Sequence, residues 1–164
     1  MFIGIISDTH CYFDNSLRDF LSPVDEIWHA GDFGNLETLE TIASFKPLKG
    51  VYGNCDGTPI RSRVPQTQFF TCEGKKILMM HLGGYPGRYD YKAFQLINAH
   101  LPDIFVCGHS HILKVINDKK YNMLTINPGA AGISGFHQVR TAIRFHIDNG
   151  NIHSMEIGEW DRKR

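Results

Sequence analysis

The sequence predicts an α/β fold in which two mostly mixed sheets pack face to face with helices on the outside. Up to residue 54, apolar runs of strand length alternate with segments of helical period, the pattern of a parallel sheet. Beyond residue 60 the strand-like runs follow one another more closely, in the manner of antiparallel pairing. The apolar runs lead into short polar pieces: Ser7-Asp8-Thr9-His10, Gly31-Asp32, Gly53-Asn54, His81 and Gly108-His109-Ser110-His111. Residues distant in the chain are therefore expected to converge on one sheet edge, where open α/β folds place their sites.

Phe2 to Ile6 is apolar apart from Gly4 and reads as a buried strand. Asn15 to Leu21 carries Leu17, Phe20 and Leu21 at helical spacing and closes at Pro23, and Glu26 to Ala30 is a second strand running into Gly31-Asp32. Leu36, Leu39, Ile42 and Ala43 predict a second helix ended by Pro47, and Leu48 to Tyr52 predicts a third strand. Gln68 to Cys72 and Lys75 to Met80, joined by Glu73-Gly74, predict a hairpin ending at His81. Tyr91 to His100 is a helix closed by Pro102, and Ile104 to Cys107 is a buried strand feeding Gly108-His109. Val115-Ile116, Met123 to Ile126, Thr141 to Ile147 and Ile152 to Ile157 complete the strands. They are punctuated by Asp118-Lys119, Asn127-Pro128-Gly129 and Asn149-Gly150, the last a strong hairpin signal.

The 164 residues fit a single domain spanning 1–164. Seventeen basic residues balance seventeen acidic ones, so there is no strong nucleic-acid-binding signature. The opening apolar run lacks a basic leader and stops at Ser7, far short of the roughly 20 residues that span a membrane. Cys11, Cys55, Cys72 and Cys107 lack C-x-x-C spacing, which fits reduced thiols. A cytoplasmic protein without a membrane partner is expected, with Asp161-Arg162-Lys163-Arg164 as a frayed end.

The polar pieces supply two Asp, one Asn and four His, a donor set that can hold two divalent metals. Asp8 and His10 are two apart, so on an extended backbone both leave the same face and share one cation; His109 and His111 obey the same rule. Asp32 stands alone after its strand, and its two oxygens suit bridging of ions roughly 3.5 to 4 Å apart. Asn54 offers an amide oxygen without the negative charge that would repel phosphate. Two divalent ions, two carboxylates and a bridging hydroxide leave about one positive charge, which matches a phosphodiester monoanion. The expected partner is a small phosphoester substrate.

In order along the chain, D-x-H, G-D, G-N-x-D, H and G-H-x-H are met by Asp8/His10, Asp32, Asn54/Asp56, His81 and His109/His111. Across essentially its whole length the chain resembles the calcineurin-like metallophosphoesterase superfamily and, within it, the small cap-less phosphodiesterases of the YfcE type. The resemblance implies a four-layer α/β/β/α sandwich of two mixed sheets flanked by helices. It implies that Asp8, His10, Asp32 and His111 hold one metal and that Asp32, Asn54, His81 and His109 hold the other. Manganese is the first expectation, with nickel, iron or zinc as alternatives. The implied activity is that of a metal-dependent phosphodiesterase in which a metal-bridging hydroxide attacks phosphorus, with Asp32, Asn54, Asp56 and His81 in the catalytic machinery and Asp56 orienting a metal-ligating His. Many relatives carry a His after the motif Asn, where it contacts substrate and can protonate the leaving group. Here Cys55 takes that substrate-binding position and is a poor substitute, so the proton falls to water or another residue.

Leu82 to Tyr89 is rich in Gly and Tyr and reads as a substrate-facing loop, with Arg88 either pairing a phosphate oxygen or exposed in a turn. His29 is expected in a core strand near the site, and His100, His137, His146 and His153 as structural or surface groups. Asn127 to Gly132 resembles the family's N-P-G turn, which shapes the backbone beside the site. The alternatives are a phosphomonoesterase or nucleotide pyrophosphatase on the same site, and a non-catalytic scaffold, because the retromer scaffold subunit shares this fold. A homo-oligomer is left open.

Overall fold

The structure, a computed structural model, describes residues 1–162, so Lys163 and Arg164 of the expected frayed end lie outside it. The chain opens with strand β1 (Phe2–Ile6), helix α1 (Asn15–Leu21), β2 (Glu26–His29), α2 (Leu36–Phe45), β3 (Leu48–Gly50) and the single turn α3 (Thr58–Arg61). It continues through β4 (Thr67–Cys72), β5 (Lys75–Met80), β6 (Gly84–Tyr85), β7 (Arg88–Tyr89), α4 (Tyr91–His100) and β8 (Ile104–Val106). The last strands are β9 (Leu113–Asp118), β10 (Met123–Pro128), β11 (Val139–Asp148) and β12 (Asn151–Asp161). Side chains start the three longer helices. Asp14 accepts from Leu17 N, Asn35 from Thr38 N and Asp90 from Lys92 N, each satisfying an N–H that the first turn leaves unpaired.

Two five-stranded sheets form, ordered β12-β11-β1-β2-β3 and β4-β5-β8-β10-β9. In the first, β1, β2 and β3 are parallel, β11 runs antiparallel to β1, and β12 antiparallel to β11; in the second, β5, β8 and β10 are parallel and flanked by antiparallel β4 and β9. Alternation sorts the side chains into layers. Ile3, Ile5, Trp28, Met79, Val106 and Phe145 meet between the sheets, Ile6, Leu17, Leu21, Ile27 and Leu39 pack the first sheet against α1 and α2, and Leu78, Ala93, Ile97 and Phe105 pack the second against α4. This is the four-layer sandwich.

The second half departs from the expected antiparallel style at its centre, where α4 is the crossover that makes β5 and β8 parallel. The Leu82 to Tyr89 segment is a small hairpin of β6 and β7 rather than an irregular loop. Asn127 and Pro128 close β10 instead of forming a turn, and β11 and β12 run past their apolar stretches, β11 through Val139, buried Arg140 and Asp148, and β12 from Asn151 and on through Gly158 to Asp161. Among the described residues no helix is long and apolar enough to cross a membrane.

Candidate metal centre

The parallel strands β1, β2 and β3 of one sheet and β5 and β8 of the other each lead into one of the polar pieces, so seven expected ligands face a common edge. The backbone there is not extended. Asp8, His10, Asp32, His109 and His111 have φ of 53°, 42°, 58°, 70° and 60°, in the left-handed region that few non-glycine residues adopt. Contrary to what their spacing predicts, Asp8/His10 and His109/His111 therefore do not meet by strand alternation: β1 ends at Ile6 and β8 at Val106, and the donors converge from left-handed turns beyond them. Such positions cost roughly 1–3 kcal/mol each, and they concentrate where surrounding structure holds a functional group in place.

Asp8 Oδ1 has three imidazole nitrogens around it: His111 Nε2 at 3.2 Å, His10 Nε2 at 3.7 Å and His81 Nε2 at 3.8 Å. Asp32 Oδ2 faces His81 Nε2 at 3.2 Å and His10 Nε2 at 3.8 Å. Three donor groups compact enough for a cation result: Asp8/His10/His111, His10/Asp32/Cys55 and Asp8/Asp32/His81. Asp8 Oδ1 and His81 Nε2 are buried and have no hydrogen-bond partner among the described residues. Leaving such atoms unpaired costs about 1–3 kcal/mol each, and a bound ion is one remedy. His81 Nδ1 lies 2.8 Å from the Ala30 carbonyl, which can only accept, so in the neutral ring Nε2 presents its lone pair to the cluster.

Charge is already arranged around these groups. Burial alone would raise the Asp32 pKa, but the contact with His81 and its charge, the Cys55 N–H and the charge of His10 bring it down to about 2. Asp8 is also lowered, His111, His81 and the Ser7 hydroxyl outweighing burial. His81 is raised, because Asp32 and Asp8 outweigh its desolvation. His29, fully buried at the end of β2 as expected, is pushed down to about 3 by desolvation. It accepts from Gly31 N at 3.1 Å, lies 3.0 Å from Thr9 Oγ1 and stacks on Phe33 at 3.6 Å, bracing the turn that carries Asp32.

Asp56 differs from its expected role. Its carboxylate accepts from Phe33 N (3.2 Å), Gly34 N (3.0 Å) and Gly53 N (2.9 Å), so it ties the Asp32 turn to the Asn54 turn through backbone rather than orienting a histidine ring. Gly53 permits that approach, since a Cβ there would lie 2.0 Å from Asp32 Oδ1. The Cys55 N–H donates to the same oxygen at 2.9 Å. The Cys55 thiol, raised by burial and the Asp32 charge, borders the cluster, and Asn54 lies beside it with Nδ2 at 3.5 Å from Sγ. His109 is exposed. Its N–H donates to Asp8 Oδ2 at 3.1 Å and its ring centroid is 5.3 Å from that of His81.

An open cavity of about 500 Å³ at the cluster is lined by His10, Asp32, Asn54, Cys55, His109 and His111, and also by Ile112, Phe136 and His137. A smaller one meets it at Asn54 and includes His81, Arg61 and Lys92. Arg88 lines neither: it sits exposed on β7, in register with Tyr85 across the hairpin. The cations beside the site are instead Arg61, on α3, and Lys92, at the start of α4. Pro59 followed by Arg61 after the G-N turn was the available signal for the first, as a helix start with Pro in its first turn. His137, expected as a structural or surface group, lies with Nδ1 3.1 Å from His111 Nδ1, and its pKa is lowered by burial.

A family model described as the calcineurin-like phosphoesterase superfamily domain matches residues 1–150. A probable metallophosphoesterase of Methanothermobacter thermautotrophicus is 28% identical over 138 residues, 79% of this chain and 77% of that protein. Among solved structures, one described as a novel archaeal phosphodiesterase has a TM-score of 0.75 at 20% identity, covering 96% of this chain and 99% of its own. The zinc complex of Vps29 from Entamoeba histolytica has a TM-score of 0.74 at 19% identity, covering 99% and 100%. At these identities the two structures speak for the fold alone.

Proposed function

The chain belongs to the calcineurin-like phosphoesterase superfamily, and on that premise we propose that it is a metal-dependent phosphodiesterase working with two divalent ions, manganese foremost, at Asp8, His10, Asp32, Asn54, His81, His109 and His111. The observation that carries this reading is the buried pair of orphaned atoms, Asp8 Oδ1 and His81 Nε2, which face each other at 3.8 Å. Bound there, two such ions supply Lewis-acid charge and an activated water for attack on phosphorus.

The chain's own residues do the rest. Asp32, ionised far below neutral pH, offers oxygens to both sides of the cluster. Arg61 and Lys92 line the smaller cavity, from which they would meet the non-reacting phosphate oxygens. The Arg61 Nε donates to the Asp56 carbonyl at 2.6 Å and its guanidinium lies 4.6 Å from the Tyr52 ring centre, so its terminal nitrogens meet the anion from a fixed plane. Phe136, fully exposed at the rim, offers an aromatic face to the organic arm of a diester. The four cysteines are free thiols, and a cytoplasmic setting suits them.

Hydrolysis of bis(4-nitrophenyl) phosphate and of 4-nitrophenyl phosphate, before and after chelation and again with Mn²⁺, tests the reading. The diester should be cleaved faster, only with metal. Preference for the monoester would select the phosphomonoesterase alternative. One observation favours the scaffold reading: Phe136 and Ile112, which both line the cavity, are exposed apolar side chains at 100% and 56%. Metal uptake without turnover on either ester would select it.

A further inference from the structure

We propose that His137 is a positioning residue: bonded between the Gly132 carbonyl and His111 Nδ1, it holds His111 in the tautomer that turns an Nε2 lone pair toward Asp8. The proposal rests on the two-metal reading above. His137 Nε2 lies 2.8 Å from the Gly132 carbonyl oxygen, which can only accept, so Nε2 carries the proton. In the neutral imidazole Nδ1 is then an acceptor. It faces His111 Nδ1 at 3.1 Å, and that nitrogen must donate. The proton of His111 is thereby fixed on Nδ1, and Nε2, 3.2 Å from Asp8 Oδ1 within the Asp8/His10/His111 group, is left as a bare donor for a cation.

The loop that presents His137 is shaped around this pair. Gly135 has φ 130°, and a Cβ on it would lie 2.3 Å from His111 Nδ1 and 3.1 Å from His137 Nδ1. Arg162, just past β12, donates to the Gly135 carbonyl, and Gly132 N donates to the Asp8 carbonyl at 3.1 Å, so the loop is tied at one point to the turn that carries Asp8 and at another to the residue after β12. The two rings meet edge to face, with centroids 5.0 Å apart.

Manganese binding to the wild type, His137→Leu, His137→Asn and Gly135→Ala, measured by competition with a chromophoric chelator, tests the proposal. His137→Leu should weaken one of the two Mn²⁺ equivalents by about 10- to 100-fold and leave the other near wild type. Its diester turnover should be low at limiting Mn²⁺ and recover at saturation. Asn places an oxygen where Nδ1 was, so His137→Asn should restore most of the affinity, and Gly135→Ala should weaken the same equivalent that His137→Leu does. Two equivalents held by His137→Leu as tightly as by the wild type would overturn the proposal and leave the metal reading standing. Equal weakness of the Asn and Leu variants would also overturn it, because the acceptor would then not matter. A wild type that takes up no Mn²⁺ would instead overturn the metal reading.

Discussion

His81 and His111 both turn Nε2 toward Asp8, but they are held by different means. His81 is 3% exposed, follows directly on β5 and is fixed by a backbone carbonyl at the end of β2. His111 is half-buried on a turn after β8 and is steadied by another side chain, on a loop between β10 and β11. The same contrast divides the whole cluster. Asp8, Asp32 and His81 form a sealed half, buried at strand ends even where Asp32 and His81 reach the cavity walls, whereas His10, Asn54, Cys55, His109 and His111 form an open half, half-buried or exposed around the cavities. A sealed half fixed by backbone is hard to vary without losing the fold. An open half fixed by side chains can be retuned by single substitutions, and differences in metal affinity, leaving group and substrate arm are expected to arise there.

Breaking the sealed half should have the largest effect. Asp32→Asn removes the charge both sides share and should lower diester turnover more than the roughly 100-fold ceiling typical of residues that act through a ligand, with metal content falling in parallel. Near wild-type turnover would refute the bridging assignment. On the open half, Cys55→His should speed cleavage of diesters with poor alkyl leaving groups by about 100-fold relative to nitrophenyl diesters, since only the former need a proton in the transition state. An unchanged ratio at saturating Mn²⁺ would place residue 55 away from the leaving group.

His29 gives a pH test of how the sealed half is built. Its folded-state pKa of about 3 lies below the ordinary value near 6.5, so the unfolded chain takes up a proton first. Its effect on stability is absent above pH 6.5 and grows as pH falls from 6.5 toward 3, at about 1.4 kcal/mol per unit, reaching about 2 kcal/mol at pH 5. Urea unfolding of the metal-stripped wild type should therefore lose stability between pH 7 and 5 faster than His29→Asn, and parallel curves would contradict a neutral, desolvated ring. The smallest effect belongs to the rim. Phe136→Ala should raise KM for an aryl diester about five-fold, for about 1 kcal/mol of lost apolar contact, and leave kcat unchanged.

The strand-helix order and the identity of the ligand residues could be read from the sequence because apolar periodicity and the D-x-H to G-H-x-H series are local in the chain. The means by which ligands are held could not. Left-handed turns at Asp8 and His111 are imposed by tertiary contacts, and no alternation of side chains reports them. Asp56 reaches Phe33 and Gly34 from 23 and 22 residues away, and His137 meets His111 across 26, so neither partner was visible from spacing. Arg88 sits beside the His81 segment in sequence, but the β6–β7 hairpin carries it away while Arg61 and Lys92 border the site.

Equilibrium dialysis of the stripped protein against Mn²⁺, followed by metal analysis, measures most directly whether the sealed and open halves form one two-ion centre. Two ions per wild-type chain and a loss of both in Asp32→Asn are the expected result. A single ion per chain, or an Asp32→Asn variant that still holds two, would contradict a centre joined through Asp32.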